Sequence, residues 1–157
     1  MNKRKMNIMK AKFVHTNIVA RDWKSLADFY VKVFGCKPKP PVRNLKGDWL
    51  DSATSIKGAA VRGVHLLLPG YGSDGPTLEI FEYERIIGWN AKTINRPGFA
   101  HIAFAVNNVA GALEKVLSHG GGMAGKVVQT TIEGAGKIEF VYARDPEGNI
   151  VELQKWK

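Results

Sequence analysis

A segment of this chain occurs twice, and that repetition constrains the fold more than any other feature of the sequence. Phe13-Val14-His15 recurs as Phe99-Ala100-His101. At the same spacing after each His stands a residue suited to capping a helix, Asp22 in the first copy and Asn108 in the second. Apolar residues at helical spacing follow both: Trp23, Leu26, Phe29, Tyr30 and Val33, then Val109, Leu113, Val116 and Leu117. Each helix is expected to stop at a glycine, Gly35 and Gly121, which adopts the left-handed C-terminal conformation at little cost.

The copies also end alike, Leu78-Glu79-Ile80 matching Val151-Glu152-Leu153, although the first copy is longer before its last strand. The extra length falls between Pro40 and Gly63, and Asn44 to Ala60 reads as a long excursion, a lid or part of a pocket wall. Between helix and final strand the first copy offers a weak strand, Lys37 to Val42, interrupted by prolines, and a strong one, Val61 to Leu68. The second offers Val127 to Ile132 and Ile138 to Tyr142, both rich in β-branched and aromatic residues. Each copy therefore reads strand, helix, strand, strand, strand. The expected class is α+β, with two βαβββ modules in a curved mixed sheet, the first over about residues 11–86 and the second over about 97–157.

The polar residues inside these strands carry the chemistry. His15 and His101 occupy the first strand of each copy, Glu79 and Glu152 the last. Residues two apart on a strand share a face, which sets His15 beside Phe13 and Asn17, and Glu79 beside Thr77, Phe81 and Tyr83. His101 shares a face with Phe99 and Ala103, and Glu152 with Ile150, Gln154 and Trp156. A polar group among apolar or small neighbours points to a lined cavity. Two imidazoles and two carboxylates make a nitrogen and oxygen donor set suited to one divalent ion such as Zn, Ni, Co, Mn or Fe. A cation also offsets the cost of burying an ionised glutamate. His15, Glu79, His101 and Glu152 are thus the candidate metal ligands. His65 reads as a wall residue, and His119 as a residue at a helix end.

Composition narrows the classes of function. The chain has 157 residues, 45% of them hydrophobic and 24% charged, as an ordinary globular domain does. No apolar stretch has the length of a membrane span, and the basic arm over 1–10 leads into no signal-peptide core. Cys36 is the single cysteine, so no internal disulfide is available, which fits a reducing, cytoplasmic compartment. The net charge of +9 includes Lys3, Arg4, Lys5 and Lys10 of the arm, and no nucleic-acid-binding motif accompanies it. The diffuse positive field reads first as a contribution to solubility and second as one that favours an anionic small-molecule substrate.

These residues resemble the vicinal oxygen chelate superfamily, the glyoxalase, bleomycin resistance protein and extradiol dioxygenase group. The resemblance runs from Phe13 to Lys155 and is most specific in four segments. They are Phe13 to Val19, Thr77 to Phe81, Gly98 to Val106, and Asp145-Pro146-Glu147-Gly148-Asn149 with the strand that follows, through Leu153. The order of the two His and two Glu is similar to that of the glyoxalase I and methylmalonyl-CoA epimerase families. The resemblance implies a metal-dependent lyase or isomerase, lactoylglutathione lyase-like, that stabilises an enediolate or enolate. It makes Glu152 a ligand and general base, Glu79 a ligand and second base, and His15 and His101 ligands only. The superfamily's alternatives are an extradiol dioxygenase using His15, His101 and Glu152, a thiol transferase, and a non-enzymatic antibiotic-binding protein. The excursion from Asn44 to Ala60 departs from a minimal glyoxalase, and no glutathione-binding set can be matched. A homodimer is the expected state, with either both modules of one chain or modules of two chains around the metal.

Overall fold

The computed structural model describes residues 10–88 and 92–157. All of the basic arm except Lys10 lies outside the described residues. The first module runs β1 (His15–Val19), α1 (Trp23–Phe34), β2 (Lys37–Lys46), α2 (Asp48–Thr54), β3 (Ala60–Leu67) and β4 (Thr77–Tyr83). The second runs β5 (His101–Ala105), α3 (Val109–Ser118), β6 (Gly122–Met123), β7 (Val128–Ile132), β8 (Gly136–Arg144) and β9 (Ile150–Trp156). Each module forms its own mixed sheet, ordered β1-β4-β3-β2 in the first and β5-β9-β8-β6 in the second, with β7 also on β8. The opening strand pairs parallel with the last in both, β1 with β4 and β5 with β9. The repeat seen in the sequence is a repeat of topology.

The helix boundaries follow from side-chain chemistry. Asp22 accepts hydrogen bonds from the backbone N–H of Lys24 and Ser25, and Asn108 accepts from that of Gly111. A cap of this kind stabilises a helix by about 1 kcal/mol. Gly35 ends α1 in the left-handed region, with φ at 73°. In the second module the left-handed residue is Gly120, with φ at +85°, not Gly121. Gly121 has a different task, because a Cβ there would come within 2.5 Å of the Arg144 carbonyl. Leu117, expected on the buried face of α3, is exposed, while Val109, Leu113 and Val116 are buried.

Both departures in the first module lie in its longer half. The weak strand is a ten-residue strand whose register shifts between Lys39 and Arg43. Pro40 and Pro41, lacking a donor, sit in that shift, and Pro38 lies in register opposite Leu66 on what is an edge strand. The excursion holds the end of β2 and the helix α2. There Leu50, Ala59 and Val61 form a small core with Leu45, Phe81 and Tyr83. Asp51 fixes the return to β3 by accepting from the N–H groups of Gly58 and Ala59, at 2.7 and 2.8 Å. Phe81 and Tyr83 lie on the Glu79 face of β4, so α2 closes one end of that face. The segment packs on the end of β4 through this small core and does not line the cavity described below.

One core joins the modules. Leu26, Phe29, Tyr30 and Val33 of α1 and Val109, Leu113 and Val116 of α3 are buried together with Val64, Leu66, Leu78 and Ile80 from the first sheet. Val141, Ala143, Val151 and Leu153 from the second sheet complete it. Phe34 stacks on Phe104 across the modules, with ring centroids 4.0 Å apart. Two polar contacts reinforce this union. The Glu147 carboxylate accepts from the backbone N–H groups of Arg21 and Asp22, at 2.8 and 3.0 Å, tying the second module's last turn to the start of α1. Beneath it the Tyr30 hydroxyl donates to the buried Asp145 carboxylate at 2.9 Å. Asp145 also accepts from the backbone N–H of Glu147 and Asn149 and from the Asn149 side chain. Burial pushes the Tyr30 hydroxyl well above its usual range, with the Asp145 charge adding to it.

Two outcomes follow from this packing. Tyr30→Phe removes a buried hydrogen bond to a charged group and is expected to cost about 1.5–3 kcal/mol. In thermal unfolding that is a fall of about 3–12 °C in Tm for a chain of this length. Cys36 is 1% exposed, and burial raises its thiol to about 11. A water-soluble thiol reagent at about pH 8 is therefore expected to label it only after the protein is unfolded.

Candidate metal centre

Alternation along four strands decides which side chains reach the site. On β4, Leu78 and Ile80 enter the shared core and Glu79 points to the other face; on β9, Val151 and Leu153 do the same around Glu152. His15 and Asn17 alternate with Ile18 on β1, and His101 alternates with the core-packed Ile102 on β5. Each His–Glu pair therefore sits on the face of its sheet opposite the shared core.

Within each module the expected ligands are neighbours. His15 Nε2 lies 3.5 Å from Glu79 Oε2, and His101 Nε2 lies 3.0 Å from Glu152 Oε2. Both carboxylates are largely covered, with side-chain exposures of 13% and 14%. The structure does not bring the two pairs together in one chain. Among the described residues, no three His, Cys, Asp or Glu side chains are grouped so that they can hold a metal ion. The reason is in the packing: the core fills the space between the modules, and both pairs face away from it.

Three residues that the sequence reading left aside, or did not assign to the site, stand against the glutamates. His65, read as a wall residue, is directly opposite Glu79 in the β3–β4 register, and its Nε2 is 2.9 Å from Glu79 Oε1. Its Nδ1 is 3.0 Å from the Thr77 hydroxyl. The network assigns the proton to Nε2, which donates to the carboxylate, while Nδ1 accepts from Thr77. Burial holds the His65 imidazole below its usual pKa, against the pull of the Glu79 charge. Asn17 is opposite Glu79 on the other side, in the β1–β4 register, and its Nδ2 donates to Oε2 at 2.9 Å. In the second module Tyr142 takes the position opposite Glu152. Its ring meets that of His101 edge-on, with centroids 5.2 Å apart. Burial raises the Tyr142 hydroxyl, and the Glu152 charge adds to the effect. The signal for His65 and Tyr142 was their place between two core residues, Val64 and Leu66 or Val141 and Ala143, which sends the polar side chain to the site face.

Beside the second pair, where β1, β5 and the segment joining the modules meet, lies a cavity of about 520 Å³. Asn17 and His101 line it, together with Arg21, Lys92, Arg96 and Glu147. Lys92 Nζ donates to the Glu147 carbonyl and to Asn149 Oδ1, and burial lowers its pKa against the opposing pull of Asp145. His119 lies away from the site: it caps α3, and its Nδ1 is 2.8 Å from the Lys115 carbonyl.

The donor set suits a divalent ion. Each pair offers an imidazole nitrogen beside a carboxylate oxygen, and the two pairs together supply the mixed nitrogen and oxygen ligands such ions take. Asn17 and His65 each hold one oxygen of the Glu79 carboxylate. Among the described residues, no helix is long and apolar enough to cross a membrane.

Comparison with known proteins agrees with this fold. A glyoxalase family protein from Bacillus cereus has a similar structure, with a TM-score of 0.73 at 18% identity over 99% of both chains. A glyoxalase/bleomycin resistance protein/dioxygenase domain from Frankia matches with a TM-score of 0.55 at 18% identity, over 95% of this chain and 100% of that one. A glyoxalase I mutant from Zea mays matches with a TM-score of 0.60 at 21% identity, over 91% of this chain and 44% of that one. No curated protein matches the sequence. Residues 12–153 match the Glyoxalase/Bleomycin resistance protein/Dioxygenase superfamily, and the chain belongs to it.

Proposed function

We propose that this protein is a cytoplasmic metal-dependent lyase or isomerase, acting as a homodimer on a small anionic substrate. The observation that carries the reading is the repeated pair: a covered glutamate beside an imidazole nitrogen, at equivalent positions in both modules. His15, Glu79, His101 and Glu152 are the proposed ligands. A divalent ion held there supplies Lewis-acid stabilisation of negative charge on a substrate oxygen. Glu152 takes a proton from the carbon beside the substrate carbonyl and returns it to the neighbouring position. Arg21, Lys92 and Arg96, on the wall of the adjoining cavity, favour a negatively charged substrate.

The dimer follows from the same packing. Because the two pairs of one chain face away from their common core, a complete quartet needs the first module of one chain against the second module of its partner. A two-fold dimer makes that contact twice. The surfaces it covers are the site faces of the edge strands β1 and β5, next to which Phe13 is 66% and Phe99 106% exposed. Apolar side chains left open to water beside half a polar site are what a second copy buries.

Metal titration followed by calorimetry tests the reading. The wild-type protein is expected to bind a divalent ion, and His15→Ala or Glu152→Ala to lower its affinity by at least roughly 100-fold. Either variant binding with unchanged affinity overturns the ligand assignment. The chemistry is tested separately, by incubating the metal-loaded protein with glutathione hemithioacetals or acyl-CoA thioesters in deuterated water. Incorporation of deuterium beside the carbonyl is expected, and its abolition in Glu152→Gln identifies the group that moves the proton.

A further inference from the structure

The segment joining the modules is pinned to the second module at one residue. Arg144 Nη1 donates to the Lys92 carbonyl at 2.9 Å, and Lys92 Nζ donates to the Glu147 carbonyl and to Asn149 Oδ1. Arg144 Nη1 also donates to the Gly148 carbonyl at 3.0 Å, so one guanidinium fixes both the segment and the turn it rests on. Held in this way, the segment forms one side of the cavity of about 520 Å³, whose other sides come from β1, β5 and the turn before β9. That volume lies in the range of small-molecule sites. His15, Glu79 and Glu152 are not among its lining residues; of the four proposed metal ligands only His101 is.

The lining is of two chemical kinds. Arg21, Lys92 and Arg96 bring three positive charges, and Glu147 is the one carboxylate among the described lining residues. Its Oε1 is engaged by the backbone N–H groups of Arg21 and Asp22. The Asp145 carboxylate, which accepts from Tyr30 and Asn149, does not line the cavity. Positive charge is therefore in excess on the wall of a partly enclosed space, where it attracts an anion more strongly than in open water. Val19, Ile86, Pro97 and Ile102 line the same cavity with apolar surface. Inorganic phosphate leaves that surface unused, and a neutral apolar molecule leaves the cations without an anion. We propose that this cavity binds a small monocarboxylate with an aliphatic or aromatic body, its carboxylate held by Arg21, Lys92 and Arg96 and its body covered by Val19, Ile86 and Ile102. The inference goes further than the substrate charge proposed above, because it assigns a place within one chain and an apolar body to the ligand. It needs neither a metal ion nor a second chain.

Calorimetric titration of the full-length, EDTA-treated protein with hexanoate, hexanamide and inorganic phosphate tests the inference. Hexanoate is expected to bind at least roughly tenfold more tightly than hexanamide, the discrimination a hydrogen bond to a charged group supplies. It is also expected to bind more tightly than phosphate. Shortening the chain toward butyrate is expected to cost about fourfold for each methylene lost. Arg96→Met is expected to weaken hexanoate binding at least roughly tenfold, and Arg96→Lys to recover part of that loss, which separates lost charge from lost packing. Arg21→Met supplies the same comparison if the Arg96 variants do not fold. Equal affinity for hexanoate and hexanamide, wild-type affinity in both Arg96→Met and Arg21→Met, tighter binding of phosphate than of hexanoate, or no binding of hexanoate each overturns the inference. The titration is run without metal, so its failure leaves the proposed ligands His15, Glu79, His101 and Glu152 standing. Failure of the protein to bind a divalent ion likewise leaves the cavity's ligand standing.

Discussion

The contact between Phe34 of α1 and Phe104 of β5, rings parallel and centroids 4.0 Å apart, lies in the core on which the rest of the structure depends. Around it the two helices and one face of each sheet are buried in a single cluster. A sheet has two faces, and committing one of them to this core assigns the other to function. Val64 and Leu66, Leu78 and Ile80, Val141 and Ala143, and Val151 and Leu153 then belong to the core, and His65, Glu79, Tyr142 and Glu152 between them lie on the other face. The Glu147 carboxylate on the N–H groups of Arg21 and Asp22 fixes the same arrangement by a polar route. Negative charge at the start of a helix is favourable there. The modules are held together in a way that keeps their functional faces apart.

That separation gives the two halves freedom to differ. The first half carries a helix, α2, packed over the end of its site face through Phe81 and Tyr83, and a glutamate with a donor on each oxygen. Among the described residues the second has no counterpart to α2, and its glutamate has an alanine where the first has an asparagine. The repeat places the His and Glu at equivalent positions while their neighbours differ.

Most of the topology was legible in the sequence because its signals are local or repeated. Asp22 and Asn108 capped the helices that their spacing announced, and Gly35 ended the first. The His–Glu pairs were visible because each recurs at a matching place in a strand. Non-local effects were hidden. After the second helix the left-handed residue is Gly120, while Gly121 sits close to the Arg144 carbonyl, a contact between distant parts of the chain. The prolines of β2 read as strand breakers, yet an edge strand tolerates them, with Pro40 and Pro41 placed where the register shifts. Lone α2 is short and depends on residues from three strands for its core, so its own spacing says little. His65 looked like a wall residue because only the β3–β4 register shows that it faces Glu79. The quartet's division into two outward-facing pairs depends on how the modules pack, which no single segment encodes.

Complementation between two inactive chains tests the shared site most directly. One carries His15→Ala with Glu79→Ala and so lacks the first half; the other carries His101→Ala with Glu152→Ala and lacks the second. Neither is expected to bind a divalent ion by itself. After mixing and subunit exchange, each heterodimer regains one complete quartet, from the intact first module of one chain and the intact second module of the other. Recovery of metal binding on mixing is the expected result. A mixture that binds no more metal than its separate components contradicts a site shared between chains.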